Sequence, residues 1–373
     1  MQPIVYCICA WFRHHGRSFI VTKDMDIREN LPLAPFTTLG VGGPARYFLE
    51  VCTEMELREA IEFSHSKKLP IFVLGGGSNL VVADRGYDGV VIKIGLHGEQ
   101  VVASDGDRML FTVAAGEEWD AFVERAVALD CAGIECLSGI PGTVGGTPVQ
   151  NVGAYGQEVA ETITSVDALD VHLLTVQQFQ NSDCGFGYRS SRFNGPDRGR
   201  FIVLRVCFAL KRHGQPPLRY ADLQKYFADS EGQPTLRQVR DAVRAIRHRK
   251  AMLLVPGDED ARSAGSFFKN PVVPRQQFEE LSERLAQVGL HLPSYPAGDG
   301  FCKLPAAWLV EHAGFSKGYG KGAAGISRRH TLAIVNRGGA TAEEIVALKN
   351  EIQAGVLERF GVKLHPEPVF VGF

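Results

Sequence analysis

The chain has little net charge: 40 Lys and Arg stand against 42 Asp and Glu, a formal −2 over 373 residues. No global field therefore draws it to nucleic acid or to an anionic membrane. Long apolar runs are missing too. The start, MQPIVYCICAWFRHHGRSF, is too short in its apolar part to span a bilayer, which takes about 20 residues. It also lacks the basic n-region and small-residue cleavage site of a signal peptide, so residues 1–32 are read as an N-terminal extension outside the folded body. Eight cysteines are present, at 7, 9, 52, 131, 136, 184, 207 and 302. None forms CxxC and none stands in register with a histidine pair, so no metal site is expected and the thiols are read as reduced. There is no N-x-S/T sequon, no internal repeat and no low-complexity run. A Walker A loop is absent as well, because Gly320-Lys321 is followed by Gly322 where that motif needs Ser or Thr. The expectation is a cytoplasmic globular protein, a monomer or weak dimer, that neither binds nucleic acid nor enters a membrane.

What is present is ordinary globular composition, 45% hydrophobic and 22% charged, in a chain long enough for two or three domains. Three units follow one another. Residues 33–95 hold strand-like ARYFLEV, the amphipathic EMELREAIEFSHSKKL with Leu57, Ala60, Ile61 and Leu69 inward, and strand-like PIFVL and GVVIKI. Residues 96–252 hold strand MLFTVAAG, helix WDAFVERAVALD, strands TSVDALDVHLL and RFIVLRVCFAL, and helix TLRQVRDAVRAIRHRK with Leu236, Val239, Val243 and Ile246 on one face. Residues 253–373 hold helix PAAWLVEHAG, strand TLAIVN, helix TAEEIVALKNEIQAGVLERFG and a strand-like HPEPVFVGF. Strands and helices interleave without a regular βαβαβ rhythm, which favours α+β.

Glycine clusters carry the first chemical signal. Gly40-Val41-Gly42-Gly43-Pro44-Ala45 matches G-x-G-x-x-G/A, yet Pro44 leads into a strand rather than a helix, so it is no dinucleotide fingerprint. Gly75-Gly76-Gly77-Ser78-Asn79 does follow a strand. Consecutive glycines let backbone N–H groups converge on an anion such as a diphosphate, although a lone GGG is more often a tight turn. The second loop shifts that balance: LSGIPGTVGGTPVQNVGAYG, residues 137–156, is unusually rich in glycine inside an apolar region. Two such loops on adjacent units suggest a large diphosphate ligand held between them.

The ordered series GGGSNLVV, LSGIPGTVGGTPVQNVGAYG, CGFGYRSSRF, AGSFFKNP and HPEPVFVG resembles the UDP-N-acetylenolpyruvoylglucosamine reductase family from about residue 33 onward. GGGSN alone marks a wider set of flavin-binding enzymes; the later motifs are much narrower. The resemblance implies a two-part FAD-binding region of the vanillyl-alcohol-oxidase type and a C-terminal α+β substrate-binding domain. It implies non-covalent FAD, NADPH as co-substrate, and reduction of the enolpyruvyl ether of UDP-N-acetylglucosamine enolpyruvate to UDP-N-acetylmuramate, a step toward peptidoglycan. FAD contacts are then expected from Gly75, Gly76, Gly77, Ser78 and Asn79, and from Ile140, Gly142, Gly145, Gly146, Asn151, Ala154, Tyr155 and Gly156.

Ser266 matches the family's proton donor, Glu367 its catalytic glutamate and Arg189 its catalytic arginine. Hydride addition to the terminal enolpyruvyl carbon leaves an enolate, which requires charge stabilisation and one proton. A guanidinium suits the first task; a serine suits the second when water is kept out. A carboxyl group beside the enolate must be neutral or paired with a cation. Tyr220 matches a tyrosine on a mobile loop that closes over the nucleotide in one branch, and Lys250, Asn270 and Lys303 match polar positions near the substrate. The chain departs from one form of the family at Arg249-Lys250-Ala251-Met252, leaving open which of Arg247, Arg249 and Lys250 meets the UDP diphosphate; a role for His330 in SRRHTLAIVN is open as well. Alternatives are a sugar or alcohol oxidase of the same architecture and a non-catalytic nucleotide-binding module. No histidine lies between His97 and His172, which argues against a covalent flavin link by histidine in the second loop.

Overall fold

The computed structural model describes residues 25–103 and 106–373. The first sheet has the order β1 (Arg28–Pro32), β2 (Pro44–Val51), β5 (Tyr87–Ile94), β3 (Ile71–Leu74). β1 runs antiparallel to β2, whereas β2, β5 and β3 are parallel. Parallel neighbours need a crossover, and helix α1 (Glu54–Lys67) supplies it between β2 and β3. α1 starts where Thr53 accepts the Glu56 N–H at 3.1 Å while the Glu56 carboxylate accepts the Thr53 N–H at 3.1 Å, two orphan donors satisfied at once. Its Leu57, Ala60 and Ile61 are fully buried, on the face their spacing indicated.

β1 corrects one expectation. Residues 28–32, assigned to an N-terminal extension, form a strand of this sheet; residues 1–24 of that extension lie outside the described residues. RENLP reads as loop because it has a single large apolar residue, and its pairing comes from β2.

The second sheet is antiparallel, in the order Val176–Gln180, Ile163–Asp170, Phe201–Arg212, β7 (Arg108–Ala114), β6 (Glu99–Ala103). Helix α2 (Trp119–Ala128) packs against it through Trp119, Phe122 and Val123. One apolar core runs from Leu49 and Ile92 of the first sheet to Val206 and Phe208 of the second, so the two N-terminal units form one body. α3 (Ala221–Tyr226) and α4 (Leu236–Arg249) follow, with Leu236, Val239, Val243 and Ile246 all buried.

The third unit has its own core, built from α5 (Arg275–Ala286), α6 (Ala306–His312), α7 (Ala342–Phe360) and small antiparallel sheets. The expected strand TLAIVN is shorter, Ile334–Asn336, because residues 331–333 form the end of a turn. Several stitches join this unit to the first, among them the Asp84 carboxylate, which accepts the Ala342 and Glu343 N–H groups at 2.8 and 2.9 Å, and Val369–Val371, which pairs in parallel with β4 (Leu80–Val82). Parallel pairs in one sheet and antiparallel pairs in the other make the fold α+β.

Candidate active site

Both glycine loops meet at one place. A Cβ on Gly76 would fall 2.5 Å from Gly142 Cα, and one on Gly75 would fall 2.8 Å from the Thr143 hydroxyl. Glycine at 76 is therefore demanded by backbone approach, glycine at 75 faces the Thr143 side chain, and Ser78 locks the contact by donating to the Pro141 carbonyl at 2.8 Å. Among the described residues, the N–H groups of Gly76, Gly77, Ser78 and Asn79 donate to no protein acceptor, nor do those of Ile140, Gly142 and Thr143. A run of unpartnered N–H groups in a glycine loop is an anion nest, so the residues present fit the diphosphate of FAD. Gly146 borders open space, since a Cβ there would meet nothing within 4 Å, but its own N–H is bonded to Thr143 O at 3.0 Å. Gly145 is different: a Cβ would lie 2.5 Å from the Ala115 Cβ and its N–H is bonded to Ala115 O, so it is a packing position.

The second loop is anchored from behind. Gly139 N–H donates to Asp120 at 2.6 Å, and Asp120 is held by Arg240 at 2.6 Å and by Arg244. Burial pushes the Asp120 pKa up, but Arg240, the Gly139 N–H and Arg244 together hold it below the usual carboxylate range. Arg247, buried on the same helix, donates to Gly139 O at 3.1 Å and Met252 O at 2.6 Å; desolvation lowers its pKa.

Like Ser78, the two asparagines expected to reach the cofactor have side chains engaged within the protein. Asn79 donates to Gln150 Oε1 at 2.7 Å and to the Glu367 carbonyl at 3.3 Å. Asn151 is 1% exposed, with φ +46°. Its amide donates to Glu158 at 2.8 Å and Gly187 O at 3.0 Å and accepts from Ala160 N–H at 3.1 Å. Both therefore connect the glycine loops to the segments that carry Glu367 and Arg189. Ala154 and Tyr155 are half-buried and Gly156 is exposed.

Arg189 sits in a tight Gly187–Ser190 turn with φ +53°. This conformation is uncommon for a non-glycine residue and marks a position set by its surroundings. Its guanidinium donates to Gly153 O at 2.6 Å and lies 3.1 Å from the Glu367 carboxylate. Glu367 is 15% exposed; burial raises its pKa, opposed by Arg189 and Lys269. The segment bearing Ser266 runs alongside: Glu367 N–H donates to Phe267 O at 2.9 Å and Phe267 N–H donates to Leu332 O at 2.7 Å. Ser266 Oγ faces Nε2 of His330 at 3.1 Å. Arg189, Glu367 and the Ser266 segment, far apart in sequence, thus form one cluster beside the glycine loops.

The expected substrate residues divide. Lys250 pairs with Asp222 of α3 at 2.5 Å and, with Arg249, Tyr226 and Ile246, lines a pocket of about 510 Å³. Tyr220, 45% exposed, stands at the entry to α3 and packs edge-on to Tyr155 with centroids 5.3 Å apart. Asn270 spends its side chain on the first turn of α6, accepting the Ala306 N–H at 2.9 Å. Lys303 lies over the Tyr188 ring at 4.6 Å, and the Asn270 N–H donates to the Tyr188 hydroxyl at 3.3 Å. Tyr188, Lys269 and the His330 contact escaped sequence reasoning. YRSSRF marked the first only through its neighbour, and no local signal pairs residues 266 and 330. Among the described residues, no group of His, Cys, Asp and Glu side chains could hold a metal, and no helix is long and apolar enough to cross a membrane.

Comparison with known proteins matches two family models: an FAD binding domain over residues 45–172 and the UDP-N-acetylenolpyruvoylglucosamine reductase C-terminal domain over residues 257–371. The chain is 47% identical over 349 residues to the UDP-N-acetylenolpyruvoylglucosamine reductase of Thermobifida fusca, covering 92% of this chain and 98% of that protein. It is 45% identical over 369 residues to the Streptomyces coelicolor reductase, covering 96% and 94%. The crystal structure of UDP-N-acetylenolpyruvylglucosamine reductase from Thermus caldophilus superposes with a TM-score of 0.63 at 28% identity, covering 93% of this chain and 99% of that one.

Proposed function

The chain belongs to the UDP-N-acetylenolpyruvoylglucosamine reductase family of FAD-dependent oxidoreductases, and from that premise we propose that it reduces UDP-N-acetylglucosamine enolpyruvate to UDP-N-acetylmuramate with NADPH, as a cytoplasmic step in peptidoglycan precursor synthesis. The observation that carries this reading is the cluster of Arg189, Glu367 and Ser266 beside the paired glycine loops.

FAD would be held by the unpartnered N–H groups of residues 76–79 and of Ile140, Gly142 and Thr143, and when bound it supplies hydride at the terminal enolpyruvyl carbon. The remaining steps fall to the chain. Negative charge builds on the substrate carboxylate and the adjacent carbon, and the Arg189 guanidinium stabilises it by charge-assisted hydrogen bonding. Glu367 can stand beside that charge because burial raises its pKa toward the neutral acid, and any charge it carries is paired with the Arg189 guanidinium. Ser266 gives its hydroxyl proton to the carbanionic carbon, a downhill transfer even from a weak acid. Lys250 and Arg249, facing the pocket next to Tyr226, suit the UDP diphosphate; Arg247, spent on Gly139 and Met252, does not. Asp222, Lys225 and Tyr226 of α3 form one side of that pocket, and Tyr220, at the entry to α3, would close over the nucleotide.

An anaerobic visible spectrum tests the proposal. Bleaching of bound flavin by NADPH, followed by recovery on adding the UDP-enolpyruvyl sugar, is the expected result. Recovery with oxygen alone identifies an oxidase and overturns it.

A further inference from the structure

The Ser266 hydroxyl has one hydrogen-bond partner among the described residues, Nε2 of His330 at 3.1 Å. Their positions are fixed from both sides. His330 sits in a turn whose N–H donates to Ser327 Oγ at 3.3 Å and whose carbonyl accepts the Ala333 N–H at 3.1 Å. Two residues on, Leu332 O receives the Phe267 N–H at 2.7 Å, binding the turn to the serine's own segment. Desolvation, then the charges of Lys250, Lys317 and Arg247, hold the ring pKa down at about 4, so the imidazole is neutral and carries a single N–H.

We infer that His330 donates its Nε2–H to Ser266 Oγ, aiming the serine's own proton at the substrate and holding the oxygen as negative charge arrives on it. The inference rests on the reaction proposed above. A hydroxyl has one proton, so a serine that gives it to carbon must receive, not donate, its bond to the ring. The opposite arrangement turns the proton away from the substrate, and a ring that took that proton would become a cation among Lys250, Lys317 and Arg247. A general-base role of the kind histidine plays beside nucleophilic serines is therefore disfavoured here. In the step itself the O–H bond breaks and a C–H bond forms. The electron pair stays on Oγ, facing the Nε2–H donor, and water returns the proton once the product has left. His330 is in this sense a positioning residue acting through Ser266.

Two measurements decide it. Nitrogen NMR of holoprotein labelled at histidine, with the His330 signal identified by its loss in His330→Gln, should show a neutral ring protonated at Nε2 at pH 5. A ring protonated at Nδ1 alone, or charged at that pH, overturns the inference. Stopped-flow kinetics then compare His330→Leu with His330→Gln, which retains an N–H donor. In His330→Leu, reoxidation of NADPH-reduced enzyme by the UDP-enolpyruvyl sugar should slow by about 10²-fold, the usual effect of removing one donor from a developing oxyanion. Its solvent deuterium isotope effect should rise, flavin reduction by NADPH should hold, and His330→Gln should recover most of the rate. Equal slowing in both variants, or an unchanged isotope effect, also overturns it. If the wild-type enzyme is not reoxidised by that sugar, the proposed function fails, while the tautomer still decides the direction of the hydrogen bond.

Discussion

Asn151 offers the sharpest separation of scaffold from ligand contact. Its side chain makes three hydrogen bonds while 1% exposed, one of them to the Glu158 carboxylate. Each such bond contributes about 0.5–1.5 kcal/mol, with bonds to charged groups at or above the upper end. Asn151 also has φ +46°, where alanine is worse than asparagine by about 1 kcal/mol. Glu158 and Ala160 are half-buried, so water recovers part of the loss, and Asn151→Ala should destabilise the N-terminal body by about 3 kcal/mol. At about 2–4 °C per kcal/mol for a body of this size, scanning calorimetry of the apoprotein should show a fall of about 6–12 °C. Asn151→Gly, which restores the backbone freedom but not the bonds, should fall about 1 kcal/mol less. Because Gly187 loses its tie two residues before Arg189, reoxidation by substrate should slow while FAD stays bound. Loss of FAD with an unchanged transition would refute this reasoning and make Asn151 a direct cofactor ligand.

The other predictions concern the loops and the proton. Ser266→Ala should reduce its flavin with NADPH at the normal rate yet be reoxidised by substrate about 10²–10⁴-fold more slowly, the range for losing a general acid; equal losses in both half-reactions would refute the assignment. Gly76→Ala places a methyl 2.5 Å from Gly142 Cα and should yield a folded protein that purifies without flavin; full flavin occupancy would show that the loops can separate harmlessly. Asp120, whose pKa lies below the usual range in the folded state, adds stability that is fully present above the unfolded carboxylate pKa of about 3.9 and is lost as pH falls through the lower folded value. Asp120→Asn should flatten that acid limb in denaturant titrations at successive pH values, and an unchanged slope would mean that other carboxylates control it.

Much of the fold was legible because it rests on periodicity. The α4 face of Leu236, Val239, Val243 and Ile246 is buried as its spacing required, and so are Leu57, Ala60 and Ile61 of α1. β1 was illegible because RENLP has no alternation of its own and becomes a strand only against β2. The segments that the fold gathers at the candidate site were legible as motifs, since short ordered patterns survive in sequence. Its wiring was not. The left-handed turn at Arg189, the capping of α6 by Asn270 and the Ser266–His330 bond across 64 residues depend on contacts that no local pattern announces. Asn79 and Asn151 show the same limit in another form: an asparagine beside a glycine loop looks the same whether it holds a ligand or the protein.

The parallel pairing of β4 with Val369–Val371, and the Asn79–Glu367 contact across 288 residues, also set a timetable for biosynthesis. At about 5–20 residues per second on the ribosome, the first glycine loop waits roughly 15–60 s for the segment that completes it. Through that interval β4 presents an unpaired edge of Leu80, Val81 and Val82, the kind of strand that recruits neighbouring nascent chains. FAD arriving early could steady the loop, but enzymatic turnover must wait for residue 371. Flavin supply and translation speed thus bear on the yield of active enzyme independently of its final stability.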